Sequence, residues 1–143
     1  MDKIKSFLKF EDFHISKLNF IVNDNYIEDN KNIEISPKFS VRHKFSDNNK
    51  SILVTLSCTI FNNGNGIFDK NDPFYLEAVI KGDFQTSEDT NVDEDVFHSV
   101  LKVNTVSILF PYLRAAVTNL TAHTNVTPIV LPPINVNKLL MNQ

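Results

Sequence analysis

The chain has 143 residues, a formal charge of −3, and 42 % apolar against 22 % charged side chains. That length suits one domain with its own hydrophobic core and leaves no room for a second. The acidic balance and the even spread of lysines exclude the clustered basic footprint of a nucleic-acid binder, and a lone cysteine, Cys58, excludes an intrachain disulfide framework.

Residues 1–12 read as an amino-terminal extension. Its basic residues Lys3, Lys5 and Lys9 alternate with Ile4, Phe7 and Leu8 but are offset by Asp2, Glu11 and Asp12. The apolar run is too short for a signal peptide. No apolar run in the chain approaches the roughly 18–20 residues that cross a bilayer, so no membrane insertion and a cytoplasmic location are expected. In that setting the sequons at Asn119 and Asn125 carry no glycan.

From Phe13 to Val22 the apolar positions alternate as in a strand. The parity flips between Ile15 and Leu18, which predicts a bulge near Ser16 and Lys17. In the second segment Ile33, Ile35, Phe39, Val41 and Phe45 share one parity, and the other is wholly polar. Such a strand has one dry and one wet face. Pro37 makes it an edge strand or breaks it there. A third strand, Ser51–Phe61, is apolar throughout at Ile52, Val54, Leu56, Cys58 and Ile60. The stretch Asn62–Gly66 that follows carries a hairpin signal. The fourth strand, Pro73–Phe84, sets Phe74, Leu76, Ala78 and Ile80 on one face, with Tyr75, Glu77 and Val79 on the other. Strands three and four thus carry apolar residues on both faces, and residues 13–85 form an antiparallel sheet.

Past the acidic run Glu88–Asp95 the period becomes helical, over residues 93–123. A short helix from Asp93 carries Val96, Phe97, Val100 and Leu101, its acids suited to the positive end of the dipole. A longer one, Thr105–His123, presents Leu109, Tyr112, Leu113, Ala116, Val117 and Leu120 as one apolar stripe. Pro111 predicts a kink near Ile108–Phe110. Residues 125–143 supply an extended apolar connection, Val126–Val136, stiffened by Pro128, Pro132 and Pro133, and a terminal helix at Asn137–Met141. Strands followed by helices make the fold class α+β: a four-stranded antiparallel sheet, a long helix packed on one face, and a short C-terminal helix.

Chemistry is sparse. Cys58 lies mid-strand among apolar residues and reads as a small buried hydrophobe. His14, His43, His98 and His123 have no metal-ligand spacing, and His43, on the dry parity, reads as a satisfied core histidine. Asp89, Asp93, Glu94 and Asp95 lack the spacing and glycine of a calcium loop, and read as a solvated loop and helix start. No nucleotide or metalloprotease motif occurs, so no catalytic group, metal or cofactor is expected. The connection is too apolar for a solvated loop and requires a groove, a helix to cover, or a partner.

Ile108-Leu-Phe-Pro-Tyr-Leu-Arg114, Leu131-Pro-Pro-Ile-Asn-Val136 and Leu139-Leu-Met141, in that order and spacing, resemble the SecB family of bacterial export chaperones. Lys17-Leu-Asn-Phe20 and Phe74–Phe84 add weaker, ordered agreement upstream. The resemblance implies a dimer of dimers whose apolar grooves hold unfolded precursor proteins without ATP for delivery to the SecA motor. Some relatives instead guard an antitoxin. By position, the groove residues would be Phe39, Val41, Tyr112, Leu113, Val126, Ile129, Val130, Leu131, Leu139 and Leu140, and the SecA-docking residues Tyr75 and Glu77. Lys17 and Ile21 stand where the family has first-strand acids, and the family's carboxy-terminal tail is nearly absent after Gln143, which weighs against SecA delivery. A hot-dog thioesterase also sets a long helix on an antiparallel sheet, but its helix comes early in the chain and its catalysis needs a positioned carboxylate or histidine. A plain oligomeric scaffold is the third alternative.

Overall fold

The computed structural model describes residues 8–27, 33–48, 50–62, 71–86 and 93–142. They form β1 (Leu8–Val22), β2 (Lys38–Phe45), β3 (Ser51–Ile60), β4 (Phe74–Thr86), α1 (Glu94–Ala122) and α2 (Val136–Met141). All strand pairs are antiparallel, and the sheet order is β1-β4-β3-β2. The chain therefore crosses from one sheet edge to the other between its first two strands, and β1 and β2 are left as the edges.

The alternation of apolar residues sets the layers. Ile52, Val54, Leu56, Cys58 and Ile60 of β3 are buried, as are Phe74, Leu76, Ala78, Ile80 and Phe84 of β4. They meet Phe97, Leu101, Val106, Leu109, Leu113 and Val117 of α1 in one core. The opposite faces of β3 and β4 lie toward the open side and are half-buried or exposed.

Several elements differ from the sequence expectation. β1 begins at Leu8, so part of the expected extension is strand. The predicted bulge falls between Ile15 and Lys17, and a second between Phe10 and Asp12 resets the parity. β2 begins at Lys38, because Pro37 has no N–H to continue the ladder and the pairing with β3 ends at Lys38↔Thr59. Past β3, Phe61 takes a positive φ of 58°, but the turn signal at 63–66 and the acids at 88–92 lie outside the described residues.

The two expected helices are one. α1 runs unbroken for 29 residues and passes through Pro111. Asp93 caps it, its Oδ1 accepting from the Asp95 N–H at 2.8 Å, with Glu94 and Asp95 in the first turn. Its buried residues recur at i+4: Phe97, Leu101, Thr105, Leu109, Leu113, Val117 and Thr121. An i+4 row inclines to the helix axis, so the buried face turns along the helix. The sheet covers most of this row, and the carboxy-terminal connection covers its end. By length and hydropathy α1 is long enough and apolar enough to cross a bilayer, contrary to the expectation, which counted unbroken apolar runs. Serine, threonine and asparagine interrupt this run without making the helix polar. The packed i+4 row fits a core helix.

Candidate binding groove

Two threonines fix the connection to α1. Thr121 Oγ1 accepts the buried Ile129 N–H at 2.8 Å and donates to the Val117 carbonyl at 2.9 Å. Thr118 Oγ1 donates to the Ile129 carbonyl at 2.7 Å. Both backbone polar groups of Ile129 are thus satisfied by side chains three residues apart on one helix face. Leu131 then drops fully into the core, while Val130 between them is left 60 % exposed. Alternation along this extended strip decides which residues anchor and which face outward.

The outward side forms one wall of a hollow of about 310 Å³. Thr127, Pro128, Ile129, Val130 and Pro132 line it on one side, and Ile35 and Pro37, just before β2, on the other. Among the described residues no further strand joins the outer edge of β2, and the apolar hollow opens beside the start of that strand.

The groove residues expected from the sequence separate into distinct places. Ile129 and Val130 line the hollow. Phe39 is half-buried against Phe110, ring centroids 5.9 Å apart. Val41 and Leu140 line a second hollow farther along β2. Val126 and Leu139 are half-buried against the core. Leu113 and Leu131 have no exposed surface. Tyr112 lies on the β1 side, its ring 4.3 Å from Phe13 and 5.8 Å from Phe10. Ile35, Pro37, Thr118 and Thr121 were absent from the expected set. Extending the i+4 row beyond Val117 would have reached Thr121.

Tyr75 and Glu77 lie on the open sheet face. Lys17 Nζ is 2.7 Å from Glu77 Oε1, and the Tyr75 hydroxyl donates to the same oxygen at 3.2 Å. The hydrogen bond to Glu77 and its charge raise the Lys17 pKa. Burial, then the Glu77 charge, raises that of Tyr75. The one family-type acid on this face is thus occupied within the chain.

His43 Nε2 lies 3.0 Å from Thr105 Oγ1, and burial followed by the Lys102 charge lowers its pKa to about 4. It is a neutral, partnered histidine inside the fold, as its parity implied. Burial pushes the Cys58 thiol up to about 12, which holds it protonated and unreactive. Among the described residues no three His, Cys, Asp or Glu side chains gather as a metal site would require.

This arrangement is a sheet-and-helix frame presenting an apolar strip beside an edge strand. A family model described as preprotein translocase subunit SecB matches residues 24–143. The chain is 31 % identical over 139 residues to uncharacterized protein MJ0357 of Methanocaldococcus jannaschii, covering 96 % of this chain and 85 % of that one. Its fold superposes with a TM-score of 0.71 on the Mycobacterium tuberculosis Rv1957 SecB-like chaperone, solved in complex with a ChAD peptide from the Rv1956 HigA1 antitoxin. The match is 13 % identical and covers 94 % of this chain and 95 % of that one. The chain belongs to the SecB family.

Proposed function

We propose that this protein is an ATP-independent holdase, a chaperone that binds unfolded segments of other proteins in an apolar groove along the β2 edge. The observation that carries the reading is the exposed Val130, set between two anchored residues and facing Ile35 and Pro37 across an apolar hollow. Burial of client side chains there contributes about 25 cal/mol per Å². Such burial does not read sequence closely. Tyr112 and the open β1 edge fit the assembly of protomers into the family's dimer of dimers, in the cytoplasm.

Two destinations for the client follow. One is precursor hand-off to SecA, for which Tyr75 and Glu77 would be the docking residues; the Lys17–Glu77 ion pair weakens it. The other is a dedicated client such as an antitoxin, favoured by the likeness to a chaperone solved with an antitoxin peptide. Aggregation of a chemically unfolded protein, followed by light scattering without nucleotide, separates them. Suppression at one assembly per client supports general holding. Protection of an antitoxin alone supports the dedicated reading, and protection of nothing refutes both.

A further inference from the structure

Residues directly opposite one another in an antiparallel sheet share a face. One such row, Arg42–Thr55–Lys81–His14, crosses all four strands. Val41, Leu56 and Ile80 of the neighbouring row are buried in the core beneath α1, which puts Arg42 and Lys81 together on the opposite, open face. They lie two strand spacings apart, about 10 Å, with only the short side chain of Thr55 between them. The open face of β3 carries no charged side chain from Ser51 to Thr59, and the charged residues of β2 on that face are all cations, Lys38, Arg42 and Lys44. Among the described residues none of these, nor Lys81, forms an ion pair. The acids of the face stand elsewhere. Glu77 is held by Lys17 at 2.7 Å, and Asp12 and Asp83 oppose each other in the next open-face row. In a chain of net charge −3, the middle of this face is therefore positive over an uncharged floor.

We infer that the open sheet face docks an acidic segment of a partner protein, one carboxylate of which seats over Thr55 between Arg42 and Lys81. Charge complementarity sets the occupant. Arg42 offers a carboxylate a planar fork and Lys81 a point charge, and the Thr55 hydroxyl can donate from below. A nucleic acid fits less well, because its closely spaced phosphates would meet Asp12 and Asp83 beside the cations. The face lies on the other side of the sheet from α1 and the connection that packs on it. Its partner is thus distinct from the unfolded client, and the inference does not rest on the holdase reading.

The test measures binding of two labelled peptides by fluorescence anisotropy, one alternating Glu and Ser and the other with Gln in place of Glu. The wild-type protein is expected to bind the Glu peptide about tenfold tighter at low salt, and the difference should shrink at high salt. Arg42→Gln with Lys81→Gln should bring the ratio to about one. Lys102→Gln with Lys138→Gln removes the same charge from the two helices and should keep it. Equal binding of the peptides by the wild type, a ratio that survives in the sheet variant, or an equal loss in both variants would overturn the inference. A single-stranded DNA oligonucleotide that binds tighter than the Glu peptide, and loses that affinity in the sheet variant, would assign the face to nucleic acid and overturn it too. Should the sheet variant fail to fold, Lys81→Gln alone decides: a fall of about threefold in the ratio supports the site, and no fall overturns it.

Discussion

Replacing Gly82 by alanine would place a carbon 2.6 Å from Leu109 Cδ2 and 3.0 Å from Leu109 Cδ1 and Phe84 Cε2. Unstrained carbon contacts lie at about 3.5–4.0 Å, so something must move. Neither neighbour has room, since Leu109 is 0 % and Phe84 1 % exposed. Overpacking of a core costs about 1–3 kcal/mol, against which alanine recovers about 0.5–1 kcal/mol of chain entropy relative to glycine. Gly82→Ala should therefore lose about 1–2 kcal/mol. The assay is urea unfolding followed by circular dichroism at fixed protomer concentration, run also on Leu109→Ala and the double variant. Leu109→Ala alone should cost about 2–5 kcal/mol through the cavity it leaves. In the double variant the new methyl occupies part of that cavity, so the two losses should add to less than their sum by about 1 kcal/mol. A Gly82→Ala protein as stable as wild type, or strictly additive losses, would refute this close approach of α1 to β4.

Other outcomes follow from single contacts. Thr121→Val should strand the buried Ile129 N–H, destabilise by about 1–3 kcal/mol, and speed hydrogen exchange at that amide. Burial lowers the pKa of folded His43 to about 4, against 6.5 for a free histidine, so the unfolded chain binds the extra proton between those values. The stability this gives the neutral form is present above pH 6.5 and is lost as the pH falls toward 4. With solvent still reaching the ring, the loss should be about 2 kcal/mol, and unfolding of His43→Gln across that range should show a shallower decline. Cys58, buried with its thiol pushed up to about 12, should resist a thiol reagent until denaturant unfolds the chain. Rapid native labelling would contradict its position.

The central strands were legible because every second residue of β3 and β4 is apolar and buried. The ends were not. The bulge between Phe10 and Asp12 shifts the parity of Leu8 and Phe10 relative to Phe13, which hid the start of β1. Ile33 and Ile35 keep the parity of β2, yet each is 39 % exposed, since the ladder begins only at Lys38, after Pro37. Polar Lys102, Asn104 and Thr105 interrupt the apolar period between the two expected helices, yet Thr105 is buried on the i+4 row of a single helix. The apolar strip at 126–136 pointed to a site from composition alone. Which of its residues face outward depends on the threonine contacts to Ile129, which join positions 8 and 11 residues apart. Tyr112 joined the helical stripe by spacing but meets the rings of Phe10 and Phe13, because the inclined buried row carries that position toward β1. Lys17 was legible as a departure from the family's acid, while its pairing with Glu77 required the register of β1 on β4.

The central claim, that the strip beside β2 holds unfolded polypeptide, is tested most directly by the affinity for a permanently unfolded protein, measured by titration calorimetry without nucleotide. Val130 is outward-facing, so Val130→Asp should keep the fold and weaken binding about tenfold. Lys81→Glu on the open sheet face should bind as wild type. Unchanged binding by Val130→Asp, or equal loss in both variants, would contradict the placement of the client in this groove.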